Sequence, residues 1–186
     1  MINRIISEIS AALSNKLYLS ALTLALTLPD TCGKAEEPKK STVTRYRNWC
    51  NKYVFNRESE LFKEIVEEER VENYVIGNDM PYLDAEIIYK LRNSLLHQST
   101  PNSECESKLD KFVLVVSKEE CADGDVSVVE YDGDRNIKHR ELKIYVTRLC
   151  NTLCSAAKDY YESNKEKFDF IKYSIIDNET GEDFVL

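Results

Sequence analysis

The sequence predicts a mainly α-helical protein, a bundle of four to five helices with a short antiparallel β insertion around residues 109–141, in one domain spanning residues 1–186. Apolar side chains recur at helical spacing over most of the chain. Glycine and proline are scarce, with five and four residues, which favours long helices over a many-turned β-sandwich. The third observation is that β-branched residues concentrate in the insertion.

The N-terminal segment, residues 2–28, has the pattern of one long helix that becomes apolar nearly all round towards its end. Pro29 is expected to stop it, and the polar stretch 33–42 is expected to be a loop. The apolar run 17–28 is too short to span a membrane and is followed by a poor signal-peptide cleavage site. We therefore expect a cytoplasmic protein without a membrane anchor.

Helical patterns continue through the middle of the chain. A second helix is expected from about Thr42 or Thr44, and a third, strongly charged helix is expected over residues 59–74. The stretch 78–81 is expected to break the chain before a fourth helix over residues 82–98. The apolar stripe of this fourth helix comprises Leu83, Ile87, Leu91 and Leu95.

The pattern then changes to short strands. Residues 111–117 and 125–131 are rich in β-branched side chains, and 132–133 (Asp-Gly) is a turn signal, so the two runs predict an antiparallel ribbon. Helical spacing returns over residues 142–168. A last strand is expected around residues 171–176.

The net charge of −8 makes the surface as a whole repel nucleic acid. Any nucleic-acid chemistry therefore needs a local basic cleft. Lys39, Lys40, Arg45 and Arg47 are the residues that would flank such a cleft, and all four are equally ordinary as surface charges.

The six cysteines form no C-x-x-C pair and no Cys/His cluster with the spacing of a structural zinc site. They are interpreted as small buried hydrophobic residues in a reducing compartment. His139, in the insertion, is expected at the surface and not as the partner of a cysteine nucleophile. We expect no cofactor and no metal.

The stretch Arg92-Asn93-Ser94-Leu95-Leu96-His97 combines groups suited to phosphate chemistry. Arg92 offers a planar fork of donors that fits a phosphate. His97 falls in the last helical turn, where the dipole favours the imidazolium, and a histidine near neutral pKa can give or take a proton. Asn93 lies one turn before His97, whereas Arg92 lies about 140° round the helix from it.

These groups could together support metal-independent RNA cleavage, in which the 2′-hydroxyl attacks the adjacent phosphate. Spacing alone has a simpler interpretation. A histidine at a helix end is most often a capping or surface residue, and an arginine five residues earlier is usually a solvated charge.

The stretch resembles the R-N-x-x-x-H motif of the HEPN superfamily (higher eukaryotes and prokaryotes nucleotide-binding domains), in which a polar residue commonly follows the arginine. The resemblance implies a helical bundle with the motif towards the end of a late helix. It implies that Arg92 and His97 are the catalytic pair and Asn93 their helper. HEPN proteins include toxins, phage-defence ribonucleases and CRISPR-associated ribonucleases, and many act as dimers that bring two motifs into one cleft.

Two functions follow as hypotheses. The first is a metal-independent endoribonuclease of a toxin–antitoxin or antiviral defence system, which binds RNA and acts as a homodimer, with an antitoxin or regulatory protein as a further partner. The second is a non-catalytic HEPN-like binding or regulatory module that acts through dimer or partner contacts. The motif favours the first and the net charge favours the second.

Overall fold

The computed structural model describes residues 1–55, 83–97, 111–116, 126–134, 136–170, 174–176, 179 and 183–185. These residues are mainly helical. The helices are α1 (Ile2–Ser14), α2 (Tyr18–Ala25), α3 (Leu28–Glu36), α4 (Thr42–Cys50), α5 (Ala85–His97) and α6 (Val146–Glu162). The strands are β1 (Lys111–Val115), β2 (Val126–Tyr131), β3 (Ile137–Tyr145), β4 (Ser174–Ile176) and β5 (Asp183–Val185).

The N-terminal apolar segment contains two helices, α1 and α2, and ends where α3 begins, so the prediction of one helix over residues 2–28 is wrong. Lys16 has a left-handed backbone conformation with φ 59°. Its N–H donates to the Leu13 carbonyl at 3.0 Å, and the N–H of Leu17 donates to the Ala12 carbonyl at 2.8 Å. These two bonds form a Schellman motif, which ends α1. Glycine usually occupies the left-handed position of that motif. Because a lysine occupies it here, the sequence contains no signal for the end of the helix.

Pro29 begins a helix instead of ending one, and the prediction for it is wrong. It lies in the first turn of α3, where a helix makes no use of the missing N–H. Because α3 continues to Glu36, the predicted loop over residues 33–42 is too long. The same start places Asp30 in the first turn of α3, where the helix dipole favours a carboxylate.

α4 begins at Thr42, which confirms the predicted start of the second helix. The Ser41 hydroxyl caps it by accepting the backbone N–H of Thr44 at 3.3 Å. A π-helical turn, Asn51–Phe55, continues α4. The predicted third helix over residues 59–74 and the break at 78–81 lie outside the described residues.

α5 confirms most of the fourth predicted helix, 82–98. The Asp84 carboxylate caps its start by accepting the backbone N–H of Ile87 at 2.7 Å. Ile88 and Leu91 are buried with Ile87, and they turn one face of α5 into the core. The opposite side of α5 therefore remains available for polar groups.

The insertion forms a mixed sheet with the order β1–β3–β2, and the predicted antiparallel ribbon is wrong in part. β2 pairs antiparallel with β3 across the predicted 132–133 turn, whereas β1 pairs parallel with β3. The central strand β3, IKHRELKIY, is rich in charged residues, so its strand character was missed. The prediction of a helix from residue 142 is wrong because β3 continues to Tyr145.

α6 follows β3 directly and has a long buried face. It confirms the helix predicted over the later part of residues 142–168, up to Glu162. A 3₁₀ turn, Lys165–Phe168, comes next. β4 confirms the predicted strand around 171–176 and pairs antiparallel with β5.

One hydrophobic core joins the described helices to β3. Its largest fully buried side chains include Trp49, Tyr46, Ile9, Leu22, Leu26, Ile88, Leu142, Ile144 and Leu153. The strand residues Leu142 and Ile144 attach the sheet to this core. Within the described ranges, no helix combines the length and apolar character needed to cross a lipid bilayer. The prediction of a single domain over residues 1–186 stays a prediction.

Gly33 allows α3 and α4 to pack closely, and its replacement by alanine should destabilise the fold. A Cβ atom at Gly33 would lie 2.8 Å from the backbone oxygen of Arg45. Alanine gains helix propensity over glycine, but overpacking against backbone costs about 1–3 kcal/mol, so we expect the free energy of unfolding to fall by about 1–2 kcal/mol. Urea denaturation measures this difference.

Gly133→Ala is the matched control, because a Cβ at Gly133 would have no atom within 4 Å. Its free energy of unfolding should stay within about 0.5 kcal/mol of that of the unmodified chain. A Gly33→Ala variant as stable as this control would show that the two helices separate at no cost, contrary to the prediction.

Candidate functional site

The site is built on the polar side of α5, around Arg92. The Nη1 group of Arg92 donates to the Oδ1 atom of Asn93 at 2.9 Å. The two adjacent residues therefore hold each other's side chains, although their backbone positions differ by about 100° round the helix. The predicted role of Asn93 as helper of Arg92 and His97 stays a prediction.

Asp30 on α3 forms an ion pair with Arg92. The Oδ2 atom of Asp30 accepts from Nε at 3.0 Å and from Nη2 at 2.8 Å of the same guanidinium group. The two residues lie 62 positions apart in the sequence. Sequence reasoning missed Asp30 because it treated this stretch as the end of a helix, although a carboxylate just after a proline is a common sign of a helix start.

The Arg92–Asp30 ion pair is partly buried. The Arg92 side chain is 15% exposed and the Asp30 side chain is 20% exposed. Among the described residues, no donor reaches the buried Oδ1 atom of Asp30. Because one oxygen of this carboxylate is buried with no donor among the described residues, the pair is less favourable than a fully satisfied one.

Tyr89 provides an aromatic surface between two guanidinium groups. Its ring centroid lies 5.9 Å from Cζ of Arg92 and 5.5 Å from Cζ of Arg47. The rings of Tyr46 and Tyr89 pack edge to face with centroids 5.2 Å apart. The cations of Arg92 and Arg47 thus share one π system, which attracts both.

Arg47 is the one predicted cleft residue that these contacts connect to the motif. It also forms an ion pair with Glu86, with Nη2 and Oε2 2.7 Å apart. Lys40 instead pairs with Glu37 at 2.7 Å, at the end of α3. These contacts place Arg47 of α4 beside Tyr89 of α5, with Glu86 as its ion-pair partner.

An open pocket of about 450 Å³ lies beside the first turn of α5. Arg47, Asn51, Phe55, Asp84 and Glu86 are among the residues that line it. Since Arg47 also contacts Tyr89, the pocket lies next to the aromatic ring that Arg92 contacts. It has the size of an ordinary small-molecule site, about 300–1,000 Å³.

His97 is the last residue of α5, and its side-chain position lies outside the described part of the structure. The helix places its backbone one turn after Asn93, on the same side. The relation of the His97 ring to Arg92 stays a prediction.

Other nucleophilic groups in the described core are held in their neutral form. Burial raises the pKa values of the Cys32 and Cys50 thiols well above the usual range of a thiol. It also raises the pKa of Cys150 to about 12 and that of Cys154 to about 11. Burial also raises the pKa of Tyr46. These thiols are packing groups, as expected from the sequence, because the thiolate is the reactive form.

The predicted absence of a metal site stays a prediction. In the ranges that the structure describes, no three His, Cys, Asp or Glu side chains form a group that could bind a metal ion.

The chain matches no known family model, no curated protein and no solved structure.

Proposed function

We propose that the protein is a metal-independent endoribonuclease of a toxin or phage-defence type, and that Arg92, Asn93 and His97 are its catalytic residues. The observation that carries this proposal is the fixed orientation of the Arg92 guanidinium group. Asn93 accepts from its Nη1 group at 2.9 Å and the Tyr89 ring centroid lies 5.9 Å from its Cζ atom, on the helix that ends at His97. A pre-oriented cation stabilises developing charge without a reorganisation cost during the reaction.

The reaction needs a base, an acid and a positive group beside the phosphate. Neutral His97 accepts the proton of the RNA 2′-hydroxyl, whose oxygen forms a bond to the adjacent phosphorus. Arg92 stabilises the negative charge on the phosphate oxygens. Asn93 accepts a hydrogen bond from the guanidinium group of Arg92 and holds it in position. The bond from phosphorus to the 5′ oxygen breaks, and an imidazolium returns a proton to that oxygen. The products are a 2′,3′-cyclic phosphate and a 5′-hydroxyl end.

A homodimer fits this chemistry because two motifs in one cleft would supply one histidine as base and another as acid. The dimer, and an antitoxin or regulatory partner that restrains the nuclease, are part of the proposal through the resemblance to HEPN proteins. The chain has a net charge of −8. The RNA therefore has to be bound by a local group of cations, and Arg92 with Arg47 around Tyr89 is such a group.

The second candidate function is a non-catalytic HEPN-like module that acts through dimer or partner contacts. The observation that favours it is the ion pair of Arg92 with Asp30, at 2.8 Å. A carboxylate this close neutralises much of the cation's field and gives Arg92 a structural reason to be present.

The proposal is tested by incubating purified protein with mixed cellular RNA in excess EDTA. We expect cleavage that leaves cyclic-phosphate and 5′-hydroxyl ends, the latter accepting label from polynucleotide kinase without prior phosphatase treatment. Because His97 moves the protons, His97→Ala should lower the rate by a factor of at least about 100. Arg92→Ala should have a similar effect.

The matched control is His139→Ala, which removes the chain's other histidine, on β3. It should cleave RNA at the unmodified rate. Absence of cleavage by a folded dimer would favour the binding module, and cleavage that survives both motif substitutions would place the activity elsewhere.

A further inference from the structure

The Asp30 carboxylate lies where a phosphate would be expected to bind Arg92. A guanidinium group recognises a phosphate through two parallel N–H donors on one edge. One such edge of Arg92, formed by Nε and Nη2, already donates both bonds to the Oδ2 atom of Asp30. A carboxylate and a phosphodiester present the same chemistry to this edge, a negatively charged oxygen acceptor.

Two features adjust the strength of this contact. The first turn of α3 stabilises the negative charge of Asp30 and so maintains the pair in the absence of RNA. The buried Oδ1 atom of Asp30, by contrast, has no donor within the described residues, so the carboxylate leaves part of its hydrogen-bonding capacity unused. A contact of this kind is stable when nothing competes for the arginine, and its exchange costs less than that of a fully bonded carboxylate.

We propose that Asp30 is an internal competitor of RNA: its carboxylate occupies the phosphate-binding edge of Arg92 in the resting protein, and a phosphodiester of single-stranded RNA must displace it to bind. The inference rests on the proposed function, since it concerns the same arginine. It assigns Asp30 a regulatory effect, which lowers the affinity for nucleic acid until the ion pair opens. A protein of net charge −8 then has a specific contact, besides general repulsion, that limits RNA binding.

The test measures binding apart from cleavage. The probe is a fluorescent single-stranded DNA oligonucleotide, which has phosphodiesters but no 2′-hydroxyl nucleophile, and its Kd is determined by fluorescence anisotropy. Asp30→Asn keeps the shape of the side chain and removes its charge. We expect it to bind the probe about tenfold more tightly than the unmodified chain does, because the competitor is weakened.

Two further variants separate this effect from a general change of charge. Glu37→Gln removes one negative charge at the end of the same helix, from a carboxylate that bonds to Lys40 and Asn48. It should change the Kd by less than about twofold at physiological salt. Arg92→Gln in the Asp30→Asn background should abolish the tenfold gain. An equal gain in Glu37→Gln, or a gain that persists without Arg92, would overturn the proposal.

Melting temperatures establish that each variant folds, and Asp30→Ser replaces Asp30→Asn if the latter does not. The unmodified chain gives an independent readout through the ¹⁵N–¹H resonance of Arg92 Nε, assigned by its loss in Arg92→Lys. This resonance should shift when the probe saturates the protein, because the N–H exchanges a carboxylate acceptor for a phosphate. A resonance that does not shift at saturation would refute the displacement.

The failure of this inference and the failure of the ribonuclease proposal give different results. If the protein cleaves RNA but Asp30→Asn binds the probe no more tightly, Asp30 is no competitor and the ribonuclease proposal stands. If Asp30→Asn gains affinity through Arg92 but no variant cleaves RNA, the competitor is supported and the protein is a binding module.

Discussion

RNA cleavage by an Arg92→Lys variant should be slower than that of the unmodified chain by a factor of about 100 or more. Lysine keeps the positive charge but replaces the planar fork by a compact ammonium group on a flexible stem. The Arg92 fork can keep its Nη1 bond to Asn93, at 2.9 Å, while its Nε–Nη2 edge exchanges Asp30, at 3.0 and 2.8 Å, for the phosphate as proposed. A single ammonium group cannot bond to Asn93 and also offer a phosphate two parallel donors. Single-turnover kinetics with a defined RNA measures the loss.

Arg47→Lys is the matched control for this prediction. Arg47 also contacts the Tyr89 ring, at 5.5 Å from the centroid, and also carries an ion pair, with Glu86. It lies on α4, outside the motif, so its lysine variant should lose less than about fivefold in rate. A rate for Arg92→Lys within threefold of the unmodified chain would show that charge alone matters at this position, and the role of the fork would be withdrawn.

Local sequence signals predicted the helices in which an apolar pattern begins next to a capping residue. α5 combines an apolar stripe with a capping aspartate, and α4 follows the cap residue Ser41, so both helices lie near their predicted positions. The end of α1 carried no such signal, because Lys16 adopts a backbone conformation that glycine usually supplies. β3 was misread for a different reason: residues 138–141 are a run of polar residues without alternation, and only Leu142 and Ile144 alternate into the core.

The candidate site could be predicted in part because the motif is contiguous. The bond between Arg92 and Asn93 joins neighbouring residues, so a local pattern contains it. The contact of Arg92 with Asp30 depends on how α3 packs relative to α5, and a separation of 62 residues gives no periodic signal. The sequence alone therefore identifies the groups of the motif, whereas its electrostatic state follows only from tertiary packing.

Glu36 forms a second polar centre, at the end of α3, which ties the C-terminal part of the chain to the bundle. Its Oε1 atom accepts from Lys52 at 2.6 Å and from Tyr53 at 2.9 Å. Its Oε2 atom accepts from Tyr160 and Lys167, both at 2.9 Å. Four donors from three elements, the π-helical turn, α6 and the 3₁₀ turn, thus converge on one carboxylate. Burial by itself would raise the pKa of Glu36, but these hydrogen bonds outweigh burial and lower the pKa to about 2.

A Glu36→Gln variant should therefore be less stable than the unmodified chain at pH 7. A shift of the Glu36 pKa from 4.5 to about 2 corresponds to roughly 3 kcal/mol. Because the carboxylate is 18% exposed, solvent screening reduces this to about 1–2 kcal/mol, the expected loss in the free energy of unfolding. Urea denaturation of both chains measures it, with Glu8→Gln, at the exposed Arg4–Glu8 pair, as control.

The pH dependence gives the sign of the effect. The folded-state pKa of Glu36 lies below its unfolded value, so the unfolded chain binds a proton more readily. The stabilisation is complete above pH 4.5 and is lost as the pH falls towards 2. The difference between the unmodified chain and Glu36→Gln should accordingly be largest at neutral pH and shrink by pH 3, whereas Glu8→Gln should show little difference at either pH. A Glu36→Gln difference that stayed constant from pH 7 to pH 3 would mean that shape, not charge, makes Glu36 important at the end of α3.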